Sequence, residues 1–547
     1  MKKMDRTGYS FDRFKKDLLS GLIVGVIAIP LGMGFAIATG VEPEYGIYTT
    51  IFAGILISLF GGSKFQIGGP TGAFVPILFG IVATYGYENL LVAGFMAGLL
   101  LLIIGLLKLG SLIRFIPRPV TVGFTTGIAV IIFTGEIPHF LGIHIEKHKY
   151  FLNNMKEIAK HLGDTNFYSV LTAVLCFVVI LTCTKKFPKV PGALLGIIIS
   201  STLASVLYAE QVATIGSTYG PISSSLPRFQ LPNFSWETLP TLIYPALLIA
   251  FLGGIESLLS AVVADGMSKT KHDSNQELIG QGIANMVTPL FGGIPATGAI
   301  ARTATNIRSG ATSKVSGIIH GVVVLLTLLL FASYASHIAL ASIAPVLFVV
   351  AWNMSEKHHF IEVFKMKNSD SLVLSVTFLF TVFTDLTTAV LIGLGVSVIL
   401  FTKRMGESLA VKHVKQDCPQ IRICAIEGSM FFGSVQAFEN TILESITEDT
   451  EVWILRMDRV PFLDSTCEAS LKTIITDFKD RKGMVLIAKI QPQPKELMLA
   501  SGLYDIVGQE NFFEHMGDAL KQGEQLVKHS QQPHKKETVF EPGMSPV

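Results

Sequence analysis

Charge is scarce in this sequence. Only 15% of its 547 residues are Asp, Glu, Lys or Arg, where a soluble protein carries about a quarter. Half of the residues are hydrophobic, and the mean hydropathy is +0.53. An ordinary soluble protein is excluded, and no nucleic-acid partner is expected. Cysteine is scarce too. Cys176, Cys183, Cys418, Cys424 and Cys467 form no CxxC pair and no metal-ligand spacing, and their number is odd. Free thiols in lipid or in a reducing cytoplasm are expected rather than a disulfide framework. No enzyme motif stands out, and His139, His144 and His148 make no metal set. A cleavable signal peptide is also missing. The first apolar segment has no small-residue cleavage site, and many more such segments follow it.

What is present is a series of apolar windows, each near the roughly 17–25 residues that cross a bilayer as helix. They lie near 17–38, 46–62, 71–85, 90–108, 119–136, 168–184, 191–208, 242–264, 275–291, 297–309, 315–333, 338–352, 370–385 and 386–402. The windows beginning at Thr71 and Thr297 are too short to cross alone, and only Thr384-Asp385 divides the last pair. Basic residues fall in alternate loops. They run from Lys2, Lys3, Arg6, Arg13, Lys15 and Lys16 through Lys64, Arg114 and Arg118, then Lys185, Lys186 and Lys189, to Lys403 and Arg404. The intervening loops carry Glu42, Glu44 and Glu88. Both termini are therefore expected in the cytoplasm of a cell-membrane protein. The 139–167 loop, with Lys147, Lys149, Lys156 and Lys160, departs from the pattern and reads as an external amphipathic segment.

After Lys403 the texture changes. IRICAIEGSMFFG, EVWILRMDRV and GMVLIAK are strand-like, and SVQAFENTILESI, STCEASLKTIITDFKD and FFEHMGDALKQGEQLV are helix-like. Such alternation implies a small α/β domain. The expected organisation is a cytoplasmic segment 1–16, a membrane domain 17–404 with repeats about 17–208 and 242–402, an α/β domain 411–528, and a polar tail 529–547.

A repeat carries the functional reading. LFGGSKFQIGGPTGAF starts at Leu59 and LFGGIPATGAIARTATNIRSGATS at Leu290. The LFGG copies lie 231 residues apart and the TGA copies 226. Seven spans separate them, so the second half enters the bilayer inverted, with a site at the midplane built from discontinuous helices. KFQIGGP and GGIPA are expected to approach mid-membrane as extended chain, and each short helix to begin at its TGA. The two helix N-termini then face each other. Unpaired amides and the helix dipole favour an anion there. Thr71, Gly72 and Ala73, with Thr297, Gly298, Ala299 and Ile300, are the expected contacts, and the threonines can serve as plain helix caps.

Two charges sharpen that reading. Arg302 is placed one turn into the second short helix and adds a full positive charge. An arginine at the membrane centre costs roughly 2.5–3.5 kcal/mol on lenient scales and so marks function. Its alternative is a snorkelling anchor near a helix end. Glu256 lies mid-way along the eighth span, with Ser260 one turn later on the same face. It is read either as a coupling site for a proton or sodium ion, or as a protonated acid bonded to a neighbouring helix. Asp265, at the end of that span, is expected to be solvated.

These motifs carry a family resemblance over nearly the whole chain. PEYGIYTTIFAGILISLFGGSKFQIGGPTGA, IESLLSAVVAD and ARTATNIRSGATS resemble signatures of the SulP anion transporters, the group that includes solute carrier family 26. The C-terminal domain resembles a STAS domain. The resemblance implies seven spans plus an inverted seven, a core domain that moves against a gate domain, and a homodimer. It also implies alternating-access transport of sulfate, bicarbonate, chloride, oxalate or dicarboxylates. It places the first-span residues Leu31 and Phe35 at the pocket, where the family often has Gln and Tyr, and Ala301 where it usually has Ser. All three differences remove hydrogen-bonding groups. In the STAS-like domain Ser465 stands where soluble relatives carry a phosphorylatable serine, a place for a cytoplasmic regulator. The alternative is a helix cap by Asp464 or Ser465. Rival functions are an uncoupled exchanger or channel of the same fold, and a nucleobase–cation symporter, which would read a ring with acidic or amide groups.

Overall fold

The structure, a computed structural model, describes residues 9–111, 117–148, 150–187, 191–232, 234–384, 386–414 and 418–530. Lys2, Lys3, Arg6, Arg114, Lys149, Lys189, Asp385 and residues 531–547 of the expected tail lie outside the described residues. The chain forms two compact units, Met1–Ser397 and Val398–Val547.

Each of the fourteen apolar windows contains helix. In the first half come α1 (Phe11–Thr39), α2 (Pro43–Phe60), strand β1 (Gly68–Gly69), a 3-10 turn Gly72–Phe74 leading into α3 (Val75–Tyr85), and α4 (Tyr87–Leu106). They are followed by α5 (Arg118–Gly135), the short α6 (Ile137–Leu141) and α7 (Phe151–Lys160), α8 (Phe167–Lys186) and α9 (Gly192–Leu207). The second half has α10 (Ile215–Tyr219), α11 (Leu239–Ser268), α12 (Ser274–Val287), strand β2 (Thr297–Gly298), α13 (Ile300–Arg308) and α14 (Val315–Ala335). It closes with α15 (Leu340–Met354), α16 (Lys357–Lys365), α17 (Ser369–Phe383) and α18 (Leu386–Glu407). Among the described residues, eight helices are long and apolar enough to cross a membrane. The amphipathic segment expected in the 139–167 loop is α7, which buries Ile158 and leaves Lys156 and Lys160 exposed.

The membrane unit divides into two bundles, each drawn from both halves of the chain. Helices α1 to α4 pack on α11 to α14, and α5, α8 and α9 pack on α15 and α17. That partition is the core and gate arrangement implied by the resemblance. The core packs at backbone distance. A Cβ added at Gly98 of α4 would lie 2.6 Å from the Met286 amide nitrogen, and one at Gly282 of α12 would lie 2.6 Å from that of Leu102. Any side chain at this crossing would force the two helices apart, because apolar helices in lipid associate by close packing of small residues.

The C-terminal unit carries a five-stranded sheet. Its strands are β3 (Ala410–Val414), β4 (Ile421–Glu427), β5 (Val452–Arg459), β6 (Met484–Ala488) and β7 (Phe512–Phe513), in that spatial order. β3 runs antiparallel to β4, and the other pairings are parallel. The helices are α19 (Val435–Ser445), α20 (Ser465–Asp480), α21 (Pro492–Ala500), α22 (Leu503–Val507) and α23 (Met516–Ser530). Both sheet faces are buried. On β5, Trp453, Leu455 and Met457 point into one core with Phe438 and Leu471, while Val452 and Ile454 point into another with Ala519 and Val527 of α23. Burial on both faces gives the near-continuous apolar runs expected of parallel strands. The structure corrects three boundaries. β3 begins at Ala410, before the expected start at 411, Phe512–Phe513 is strand rather than helix, and residues 529–530 of the expected tail belong to α23.

Candidate functional site

The two glycine-rich stretches meet. β1 and β2 pair antiparallel, Gly68 with Gly298 and Gly69 with Thr297. The pair joins the two halves at the point where both helices are interrupted, and the chains leave it in opposite directions, as an inverted repeat requires. Glycine is needed at this crossing. Gly69 has φ +147, and a Cβ there would lie 2.7 Å from Arg302 Nη1. A Cβ at Gly298 would collide with the Gln66 side-chain amide.

Helix starts fall slightly later than the repeat implies. In the second copy Thr297–Gly298 is strand and α13 begins at Ile300, so Arg302 lies in the first turn rather than one turn in. In the first copy Gly72–Phe74 is a 3-10 turn before α3. Thr71 occupies the N-cap position of the 3-10 turn, but its side chain makes no capping bond, and the N-cap of α13 is Ala299 rather than Thr297. Thr71 Oγ1 donates to Glu256 Oε2 at 2.9 Å. Thr297 Oγ1 lies 2.7 Å from Ser257 Oγ and 3.2 Å from the Gly253 carbonyl oxygen.

Two expected donors are already committed. The Gly298 amide donates to Ser257 Oγ at 3.0 Å, and the Ala299 amide to the Ile67 carbonyl at 2.8 Å. The amides left without an intrahelical acceptor are those of the first turns, Gly72 and Ala73 in one copy and Ile300 to Arg302 in the other. Arg302 is only 4% exposed. Its Nη2 donates to the Pro70 carbonyl oxygen, and its Nη1 has no partner among the described residues. Arg302 and Glu256, both from the second half, therefore hold neighbouring groups of the first, Pro70 and Thr71. A buried guanidinium nitrogen without a partner is costly and calls for an acceptor.

The other expected residues divide. Phe35 reaches the site, with its ring 3.3 Å from where a Gly72 Cβ would stand. Leu31 instead packs against Cys176, Ile180, Ile197 and Val346 of α8, α9 and α15. Ser260 donates to Thr303 Oγ1 at 3.2 Å. Asp265 is not simply solvated, because it accepts from the His272 amide at 2.9 Å and from Thr270 Oγ1 at 3.1 Å. The sequence reading missed the residues that secure the crossing. Asn285 makes two bonds of 2.8 Å with Ala296, Thr303 Oγ1 accepts from the Ile67 amide at 3.0 Å, and Gln66 and Glu277 are joined at 2.8 Å. A signal was present. Glu277, Gln281 and Asn285 recur every fourth residue, a polar stripe along one face of α12.

A cavity of about 370 Å³ lies elsewhere in the membrane unit, lined by Val75, Ile132, Glu136, Lys147, Tyr244 and Thr381 among others. Thr71, Glu256 and Arg302 do not line it. Ile132 stands between the two places, since its Cδ1 lies 2.9 Å from where a Gly72 Cβ would be.

Comparison with known proteins fits this geometry to a family. The sulfate permease family pattern matches residues 14–377, and the STAS domain pattern matches residues 412–519. The chain belongs to the sulfate permease family. A putative sulfate transporter, YvdB of Bacillus subtilis (strain 168), is 54% identical over 93% of this chain and 97% of its own. The bicarbonate transporter BicA of Picosynechococcus is 28% identical over 93% of this chain and 95% of its own. The transmembrane domain of a cyanobacterial BicA superposes with a TM-score of 0.61, at 28% identity, over 71% of this chain and 98% of that one. The murine solute carrier 26 family member A9, at 18% identity, shares the fold with a TM-score of 0.86 over 94% of this chain and 92% of that one. The permease fold places this chain among polytopic membrane transporters, not enzymes.

In the STAS domain of this permease, Asp464 is the cap of α20. Its Oδ1 accepts from the Cys467 amide at 2.8 Å, and its Oδ2 from the Phe432 amide at 2.8 Å. Ser465 follows as the first helical residue and is exposed.

Proposed function

We propose that this protein is a secondary active transporter of small anions of the sulfate, bicarbonate or dicarboxylate class. The anion binds between the first turns that follow β1 and β2, contacting the amides of Gly72, Ala73 and Ile300 and the guanidinium of Arg302. The observation that carries the reading is the buried Nη1 of Arg302, which has no partner among the described residues and lies beside two interrupted helices. Glu256, 8% exposed, carries the coupling cation, a proton or a sodium ion. A carboxylate and a guanidinium that hold Pro70 and Thr71 together feel each other's loading, so a neutralised Glu256 and a bound anion favour one another. Alternating access then moves the core bundle against the gate bundle. The names of the relatives support the substrate class, and the family architecture supports a homodimer in the cell membrane with both termini in the cytoplasm.

The test is uptake into proteoliposomes. Radiolabelled sulfate, bicarbonate and a dicarboxylate would each be offered with and without sodium and pH gradients. Accumulation of one anion that needs one gradient is the expected result. Equilibration without accumulation would leave an exchanger or channel, and uptake of nucleobases alone would overturn the anion reading.

A further inference from the structure

We infer that Glu277 is the positioning residue for the anion site: a buried carboxyl group of the second repeat that fixes the strand crossing of the first without touching the anion. The inference rests on the site proposed above.

Glu277 lies on α12 and is fully buried. Four donors surround it. Its Oε2 accepts from the Gly62 amide at 2.9 Å and the Ser63 amide at 3.0 Å. Its Oε1 accepts from Gln66 Nε2 at 2.8 Å and Gln281 Nε2 at 3.0 Å. All four are N–H groups, which donate and cannot accept. In this arrangement all four donors point at a group that accepts on both oxygens, as a carboxylate does.

What the carboxylate holds is the approach to the site. Gly62 and Ser63 form the turn between α2 and β1. Gln66 lies under the Gly298 backbone, so closely that no Cβ fits between them. Gly298 in turn pairs with Gly68 and donates to Ser257 Oγ. One side chain thus sets the turn before β1 and, through Gln66, the bed on which β2 lies. Both first turns that receive the anion start within a few residues of these contacts. The proposed mechanism gives Glu277 no transport step, yet both strands of the crossing rest on groups that it holds.

Three variants test this in the full chain. Glu277→Gln keeps the shape but turns an N–H₂ group toward N–H donors. Gln66→Ala removes only the relay. The exchange variant Glu277→Gln with Gln66→Glu restores one carboxylate and one amide across the same contact. Concentration-dependent uptake of radiolabelled sulfate and bicarbonate is measured on monodisperse protein. Hydrogen–deuterium exchange is followed over residues 66–69 and 297–299. Each single variant is expected to raise the half-saturating concentration about tenfold at a nearly unchanged maximal rate, and to lose protection at the crossing. The exchange variant is expected to recover both to within about threefold. Unchanged half-saturation in Gln66→Ala, or a lower maximal rate alone, would overturn the inference, as would a failure of the exchange variant to restore protection. If the wild type takes up neither anion, the functional reading fails, and the exchange protection still decides the role of Glu277.

Discussion

Arg302→Ala is expected to weaken anion binding at least tenfold while the protein still folds. The change removes the partnerless Nη1 and also leaves the Pro70 carbonyl unpaired, at a stability cost of about 1–3 kcal/mol. Anion-dependent uptake by purified variant protein is the check, and unchanged affinity would reduce the arginine to an anchor. Glu256→Gln mimics the neutral carboxyl and keeps an acceptor for Thr71. It is expected to permit binding or exchange but to abolish accumulation against a gradient, and accumulation at the wild-type level would exclude a coupling role. Ser260→Ala separates the two coupling ions. Ser260 donates to Thr303 here and keeps its oxygen lone pairs for a cation, so loss of sodium dependence in Ser260→Ala would show a sodium site. A proton site would instead give a pH-dependent rate that vanishes in Glu256→Gln.

The core bundle depends on backbone contact between α4 and α12. Gly282→Leu is expected to destabilise the membrane unit by about 1–3 kcal/mol or more, because overpacking a close crossing forces the backbones apart. Thermal unfolding in detergent reads this directly, and an unchanged transition would show that the crossing can give. The helices themselves were legible in the sequence, since long apolar windows leave little alternative in lipid. The repeat was legible too, from LFGG and TGA. The two-residue strands were not, because β1 and β2 are too short to show any periodicity and exist only through each other. Which amides remain free was equally hidden. Gly298 and Ala299 lose theirs to Ser257 and Ile67, partners distant in sequence. The placement of Arg302 slipped by part of a turn for the same reason, as strand pairing claims the first residues of the second TGA. Glu277 was within reach, because its stripe with Gln281 and Asn285 is periodic, but a polar face on one helix does not say what it clasps.

At the scale of the whole molecule, every proposed anion contact lies before Lys403, and the STAS domain has its own two cores. A chain lacking residues 411–547 is expected to bind anion with wild-type affinity while transporting or expressing less well. Binding to monodisperse truncated protein is the measurement, and lost binding would place part of the site in the STAS domain.

The pairing of Gly69 with Thr297 also has a consequence for synthesis. The first repeat leaves the ribosome with its half of the site unfinished, because the partners of Ile67 (Thr303 and Ala299) and of Gln66 (Glu277) are not yet made. At about 5–20 residues per second the wait lasts on the order of ten seconds or more. During it a glycine-rich, partly polar stretch sits in or beside lipid with its backbone groups unpaired, where each such group costs several kcal/mol. In a nascent chain stalled after α9, with Cys176 and Cys183 replaced by serine, a cysteine substituted for Ser63 should therefore stay open to a water-soluble thiol reagent. One stalled after α14 should protect it. Folding of this site is a closing event, and the second repeat is the part that closes it.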